Sequence, residues 1–404
     1  MRNAVFIKRV VLSNYKSIKV CSVVLGPLTF LVGPNGAGKS NFLDALRLVT
    51  DALTTSLEHA LRDRGGINEV RRRSPGHPTH FGIRLEWQLP DNSEGLYAFR
   101  VSSLKNAGFE IQREECHVWP QGVGKEYFYK IENGRLQSSF EIGPPISSDR
   151  LYLVAAAGLE PFRPIYDALS HMVFYSLNPD AIRELQPPDA GGLLKRDGSN
   201  LASVLRVMER KHPEQLERVV NFLSQIVPGI QNVDVKPAGK KESIEFRQIV
   251  GANRDPWRFA AENMSDGTLR ALGILTALFQ SANGSGVVVP FVGIEEPEVA
   301  LHPGAAGVLR DSLRAASINT QIAVTSHSPD LLDDKEIADA NILAVVSKSG
   351  ETKIGPLDEA GRSAVKDRLY TVGELMRLNQ LEPDIALVDR TPANRLDLFG
   401  EYQA

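Results

Sequence analysis

Residues 33–41 read Gly33-Pro34-Asn35-Gly36-Ala37-Gly38-Lys39-Ser40-Asn41, between the apolar stretch 28–32 and the helix-like Phe42-Leu43-Asp44-Ala45-Leu46. This G-x-x-x-x-G-K-S spacing, set between a strand and a helix, constrains the fold more than any other feature because each residue type has a separate role at an anion site. Gly36 and Gly38 let the backbone curl until successive N–H groups face a polyphosphate, and the positive end of the following helix adds to them. Lys39 supplies a mobile charge for the β- and γ-phosphates, and the Ser40 hydroxyl is placed to ligate Mg2+. An ordinary glycine-rich turn has no need of the Lys-Ser pair. The loop predicts nucleoside triphosphate binding at Asn35, Gly36, Ala37, Gly38, Lys39, Ser40 and Asn41.

At 404 residues the chain has room for two or three domains. Lys+Arg of 46 against Asp+Glu of 49 leaves a formal charge of −3, so no global field draws it to nucleic acid or acidic membrane. Any such contact must be a local patch. Cys21 and Cys116 are too few for a disulfide framework, which points to a reducing, cytoplasmic setting. Charges interrupt residues 1–10 before a signal-peptide core can form, and the longest apolar runs, 151–159 and 287–294, fall far short of a membrane span.

Alternating apolar positions over 4–32 predict three short strands, and helical spacing of Phe42, Leu43, Leu46, Val49, Leu53 and Leu57 predicts a helix from 41 to about 61. Residues 79–155 alternate between glycine and asparagine turns, as an antiparallel sheet does. The stretch 160–230 reads as helical, with a surface loop over 186–192, and 231–250 as a strand pair. From 260 onward helix and strand alternate, the pattern of α/β units on a parallel sheet. No heptad run is long enough for coiled-coil arms.

Near the other end, an apolar strand-like run over 287–294 stops at Glu295-Glu296-Pro297-Glu298. Glu295 is placed to hold Mg2+ directly or through water, and Glu296 to orient or deprotonate the water that attacks a γ-phosphate. Upstream, Ser265-Asp266-Gly267-Thr268 opens a helical pattern and offers hydroxyl and N–H donors, although alone it is a common helix cap. Downstream, a second apolar run ends Thr325-Ser326-His327, where a histidine can contact a γ-phosphate or the attacking water.

In this order the motifs resemble those of ATP-binding-cassette ATPases, and more narrowly the SMC/RecF/OLD-like branch. Val11-Leu12-Ser13-Asn14-Tyr15-Lys16-Ser17-Ile18 is similar to that branch's opening strand-turn, Glu296-Pro297-Glu298-Val299-Ala300-Leu301-His302-Pro303 to its acidic-strand extension, and 372–381 to stand-alone OLD-like AAA family ATPases without a Toprim domain. The resemblance implies an α/β P-loop NTPase of ABC type, with a mixed core sheet, an antiparallel β subdomain and a helical subdomain. It divides the chain into an ATPase head from 1–61 and 255–385, an inserted region 62–254 and a tail 386–404. It implies ATP and Mg2+ as cofactors, Lys16, Ser265 and Gly267 as further nucleotide contacts, Ser40 and Glu295 as Mg2+ ligands, and Glu296 and His327 as catalytic groups. The Ser265 signature would act in trans, so that two ATP molecules join a homodimer. Most relatives carry Asp where this chain has Glu295, and the glutamine-loop contact is expected near Arg64-Gly65-Gly66-Ile67-Asn68.

The resemblance also implies a sensor or regulator of a DNA-linked process, such as anti-phage defence. With 77 residues after His327 and no acidic metal cluster there, the effector is expected to be a separate protein. A RecF-like repair clamp and a transporter nucleotide-binding subunit are the alternative readings. The crowding of Arg62, Arg64, Arg71, Arg72 and Arg73 is compatible both with a nucleic-acid contact and with a solvated face, since Asp63 and Glu69 interleave. His77-x-x-His80 and Cys116-His117 lack the second ligand pair a metal site requires. Asp197-Gly198-Ser199-Asn200-Leu201 reads as a helix N-cap. Replacement Lys39→Ala is expected to abolish ATP binding, as checked by titration with a fluorescent ATP analogue.

Overall fold

The structure is a computed structural model that describes residues 6–74, 78–105, 108–122, 124–141, 143–251, 255–280, 289–386 and 398–399. Its strands are β1 (Ile7–Tyr15), β2 (Ile18–Val24), β3 (Leu28–Val32), β4 (His80–Gln88), β5 (Glu94–Ser103), β6 (Phe109–Trp119), β7 (Tyr127–Glu132), β8 (Arg135–Ser138), β9 (Val173–Tyr175), β10 (Ile230–Ala238), β11 (Lys241–Gln248), β12 (Trp257–Ala260), β13 (Phe291–Glu295), β14 (Gln321–Ser326), β15 (Ile342–Lys348) and β16 (Glu351–Gly355). The helices are α1 (Lys39–Thr54), α2 (Leu57–Arg62), α3 (Ile67–Val70), α4 (Tyr152–Ala156), α5 (Arg163–Ser170), α6 (Pro179–Arg183), α7 (Leu201–Lys211), α8 (Pro213–Ile226), α9 (Asp266–Phe279), α10 (Ala306–Ser317), α11 (Glu359–Lys366) and α12 (Val372–Arg377).

Among the described residues the strands form three sheets, in the orders β2-β1-β4-β5-β6-β7-β8, β10-β11-β12 and β16-β15-β3-β14-β13-β9. The last is the mixed core sheet: β15, β3, β14, β13 and β9 are parallel and only β16 runs against them. Every residue of β3 is buried. Leu31 enters the core shared with α1 and the seven-stranded sheet, whereas Phe30 and Val32 enter the core shared with α7, α8, α9 and α10. Burial on both faces is what a continuous apolar run supplies, at roughly 1.5–3 kcal/mol for each large side chain removed from water.

Gln321 joins two of the sheets. This fully buried side chain accepts from the Phe6 and Ile7 amides and donates to the carbonyls of Ile7 and Gly26. One glutamine thereby completes the hydrogen bonding of β1 where it passes the start of β14.

The expected antiparallel sheet over 79–155 is present as β4 to β8, but it also takes in β1 and β2, because β4 pairs with β1. The expected helix from 41 to 61 breaks: α1 stops at Thr54, and Ser56 caps α2 by accepting from the His59 amide. Inside the stretch read as helical, Val173–Tyr175 forms β9, the edge strand beside β13. Three residues are too short to carry a period, so neighbouring strand geometry decided their state. Residues 186–192 form the expected loop, with 187, 188, 190 and 192 exposed, but its first residue is anchored inside. Gln186 is buried, bridges Glu242 through both backbone groups, and its amide bonds Ala181, Gly198 and Ala202.

Gly33 closes β3 with its Cα against the β15 backbone, and a Cβ there would run into the Val345 carbonyl oxygen. Because that neighbour is backbone, Gly33→Ala is expected to cost about 1–3 kcal/mol, the usual penalty of overpacking, read as a lowered thermal unfolding midpoint.

Candidate functional site

The loop after β3 takes its shape from positive φ at Gly36 (77°) and Gly38 (103°), a backbone state that side chains disfavour. Ala37 N–H donates to Pro34 O at 3.2 Å and Asn41 N–H to Gly38 O at 3.1 Å, turning the chain into α1. Asn35, Gly36 and Ser40 remain exposed, whereas Lys39 is only 4% exposed. Its ammonium donates to the carbonyls of Gly33 (2.8 Å) and Pro34 (3.0 Å). Burial pulls the Lys39 pKa down, and the charges of Glu296 and Glu298 work against that shift. The fields of those carboxylates therefore reach the lysine of the phosphate loop.

A prop from the other edge of the sheet holds the loop. Thr352 on β16 donates its hydroxyl to Ala37 O (2.8 Å) and shares a hydrogen bond with Ser17 Oγ (2.7 Å), which also accepts from Asn41 Nδ2 at 2.7 Å. A Cβ at Gly38 would collide with the Thr352 side chain, so glycine is required by contact as well as by φ. Neither Ser17 nor Thr352 stands out in the sequence, and a hydroxyl 315 positions from the Ala37 it bonds carries no local signal.

The parallel register sets the remaining groups. Glu295 pairs with Thr325 and Thr325 with Leu31, so the ends of β13, β14 and β3 lie level. The ladder continues past them, with Gly33 N–H donating to Ser326 O (3.4 Å) and Glu296 N–H to Thr325 O (3.0 Å). Glu296 has a φ of 45°, which turns the chain sharply as it leaves β13. Its Oε1 lies 3.2 Å from His327 Nδ1. Glu298 folds back beneath this turn and accepts from Ser326 Oγ (2.6 Å) and His327 N–H (3.1 Å). Glu295 pairs instead with Arg196, Oε1 to Nη2 at 2.9 Å.

At the start of α9, Ser265 is exposed and its Oγ accepts from Thr268 N–H at 3.2 Å, so the Ser-Asp-Gly-Thr segment does form a helix cap. Gly267 packs on the turn after β13, where a Cβ would meet the Ala300 carbonyl oxygen. One turn along, Arg270 is half buried. Burial lowers its pKa, while the charges of Glu296, Asp266 and Glu298 oppose the shift.

Other sequence-predicted residues stand apart from this group or are committed elsewhere. Lys16 forms an ion pair with Asp44 at 2.5 Å, and Asp44 also takes Arg47, Arg64 and the Tyr15 hydroxyl. Burial raises the Asp44 pKa, but Arg64, Lys16 and Arg47 outweigh it and hold the carboxyl below the usual range. Arg64 is thereby a structural brace. The crowded arginines differ in their surroundings: Arg62 is exposed, Arg72 is 8% exposed and donates to Ser17 O (2.6 Å), Arg71 donates to Asn68 and Pro78 O, and exposed Arg73 pairs with Glu69. Arg72 thus belongs to the scaffold behind the phosphate loop.

In the segment 64–68, where a glutamine-loop contact is expected, Arg64 is held on Asp44, and the strand beside β13 is β9, whose Tyr175 pairs with Ile294. Ser176 follows there, exposed, with its N–H on Arg196 O at 3.0 Å. Asn200 does not cap α7 with its side chain but accepts from Lys195 N–H and donates to Leu193 O. His77 lies outside the described residues. Cys116 is buried, its thiol pushed well above the usual range by burial, whereas His117 faces the other side of β6, stacked between Trp119 and Phe128.

Comparison with known proteins agrees with this geometry. Residues 28–112 and 157–333 match the family described as "AAA domain, putative AbiEii toxin, Type IV TA system". The OLD nuclease of Thermus scotoductus is 25% identical over 340 residues, and the Old nuclease of Escherichia phage P2 is 22% identical over 366 residues. Each alignment covers 81% of this chain, but only 60% and 57% of those relatives, so the chain spans little more than half their length. Among solved structures, an Smc head bound to the C-winged helix domain of ScpA aligns with a TM-score of 0.53 at 16% identity, covering 88% of this chain and 99% of that one. A Pyrococcus furiosus Smc head with an extended coiled coil, bound to the C-terminal domain of ScpA, gives 0.54 at 13% identity, covering 90% and 99%. The fold is therefore that of SMC-head, ABC-type ATPase domains. With its phosphate loop and acidic strand inside the matched residues, this chain belongs to that AAA family and is an OLD-like, SMC-like ATPase.

Proposed function

We propose that this protein binds ATP at the loop around Lys39, hydrolyses it with Glu296 and His327, and dimerises around the nucleotide. The observation that carries the reading is the level ending of β3, β14 and β13, which gathers Lys39, His327 and Glu296 at one edge of the core sheet. A bound polyphosphate would draw the Lys39 ammonium off the Gly33 and Pro34 carbonyls onto its own oxygens. Glu296 would accept the proton of the attacking water, and His327, beside it, would hold that water or the γ-phosphate.

The donor set fits Mg2+, a hard cation that takes oxygen ligands: the exposed Ser40 hydroxyl and the half-exposed Glu295 carboxylate. When bound, the ion would neutralise charge on the β- and γ-phosphates. Arg196 occupies Glu295 here and would have to yield it.

Exposure of Ser265 at the start of α9 supports a role in trans, with each signature closing on the partner copy's nucleotide. Likeness to the OLD nucleases and a family description that includes a toxin–antitoxin system support a regulator of a DNA-linked process in the cytoplasm, with anti-phage defence as its setting and a separate effector protein as its output. Among the described residues no helix is long and apolar enough to cross a membrane. Of the five crowded arginines, Arg62 and Arg73 lie exposed at the surface, so a DNA contact by this segment would rest on those two.

Replacement Glu296→Gln keeps the shape and removes the base. Hydrolysis is expected to fall by about 10²-fold or more, with an ATP-dependent dimer accumulating in light scattering after size exclusion. Normal turnover in this variant would overturn the catalytic assignment, and a monomer at saturating ATP would overturn the dimer.

A further inference from the structure

Glu298 has no place in the mechanism above, yet it is bound more tightly into the site than Glu296. Its side chain is 8% exposed against 34% for Glu296. The chain reaches it through two left-handed residues, Glu296 (φ 45°) and Ala300 (φ 67°), on either side of a short turn. Within that turn Val299 N–H donates to Glu296 O at 3.2 Å and Leu301 N–H to Glu298 O at 3.0 Å. Backbone strain of this kind is held in place by the structure around it.

The turn aims the Glu298 carboxylate at the end of β14. One oxygen, Oε1, accepts both the Ser326 hydroxyl (2.6 Å) and the His327 amide (3.1 Å), and Ser326 Oγ in turn accepts from Ser328 N–H at 3.1 Å. The carboxylate thereby holds Ser326 and His327 directly, and Ser328 through the Ser326 hydroxyl. The same Oε1 is 3.9 Å from His327 Nδ1, which lies 3.2 Å from Glu296 Oε1. That Nδ1 is buried without a hydrogen bond of good alignment, and so is Glu298 Oε2. The facing charges are Glu296 on its own turn, Lys39 on the phosphate loop, and Arg270 on α9, both cations lying in the field of Glu298.

We infer that Glu298 is a positioning residue for hydrolysis: its carboxylate clamps the Ser326–His327 backbone so that the imidazole is presented to Glu296. The inference rests on the proposed catalytic roles of Glu296 and His327. It assigns Glu298 no contact with nucleotide. A group that sets a catalytic side chain acts on turnover rather than on ground-state binding, and its loss is not additive with loss of the side chain it sets.

The test is a double-mutant cycle read in kcat, with the Kd for a fluorescent ATP analogue measured alongside. Glu298→Ala is expected to lower kcat by about tenfold to a hundredfold, as loss of an orienting partner does elsewhere, and to change Kd by less than about threefold. Glu298→Gln keeps an acceptor oxygen for both donors and is expected to recover most of kcat. The double variant Glu298→Ala/His327→Ala is expected to turn over no more slowly than His327→Ala alone. If Glu298→Ala does not hold its fold, Glu298→Asp, one methylene too short to span both donors, takes its place in the cycle.

Wild-type kcat in Glu298→Ala, a folded Glu298→Gln as slow as Glu298→Ala, or losses that multiply in the double variant would each overturn the inference. Unimpaired turnover in both Glu296→Gln and His327→Ala would instead remove the catalytic reading on which it rests.

Discussion

Parallel pairing of β3, β14 and β13 in one register is the constraint on which the rest of this structure depends. Parallel strands cannot follow one another directly, so long stretches of chain must intervene between them, and their C-terminal ends must emerge at the same edge. Three segments far apart in sequence, at Gly33, Glu296 and His327, therefore leave the sheet side by side. A slip of one residue along any of these strands would turn its buried side chains to the opposite face and remove its catalytic candidate from the group. The apolar demand of the two cores flanking β3 fixes the register, and the site inherits its geometry from packing.

Around that edge the charges are arranged asymmetrically. Lys39 is a buried ammonium on two carbonyl oxygens, a state tolerable because two of its three N–H donors meet those acceptors and two carboxylates oppose its desolvation. Four other basic residues are held elsewhere: Lys16, Arg47 and Arg64 converge on Asp44, and Arg72 is spent on Ser17. The phosphate loop thus carries a single buried cation of its own in the field of the acidic strand, while a hydroxyl from β16 fixes its curvature from the far side.

Legibility followed the length scale of each interaction. The phosphate loop, the acidic strand and the Thr-Ser-His strand could be read because their chemistry is written in consecutive residues. The broken helix at Thr54, the three-residue β9 and the buried Gln186 could not, since neighbours distant in sequence decide them. Glu298 stood in plain view inside Glu295-Glu296-Pro297-Glu298, but nothing in that string distinguishes a solvated acid from one folded under the strand end. The arginine cluster was open to two readings for the matching reason: composition counts charges, and burial decides which of them face solvent.

By itself the sequence determined the kind of chemistry and the class of fold, because glycine freedom, a lysine charge and strand periodicity are local properties that survive without context. Tertiary structure decided which groups meet. It set Glu296 against His327, put Glu298 behind them, gave the edge beside β13 to Tyr175 and Ser176, and bound Thr352 to Ala37. Those contacts join residues across most of the chain, and only a shared sheet register and a shared core can bring such residues within hydrogen-bonding reach.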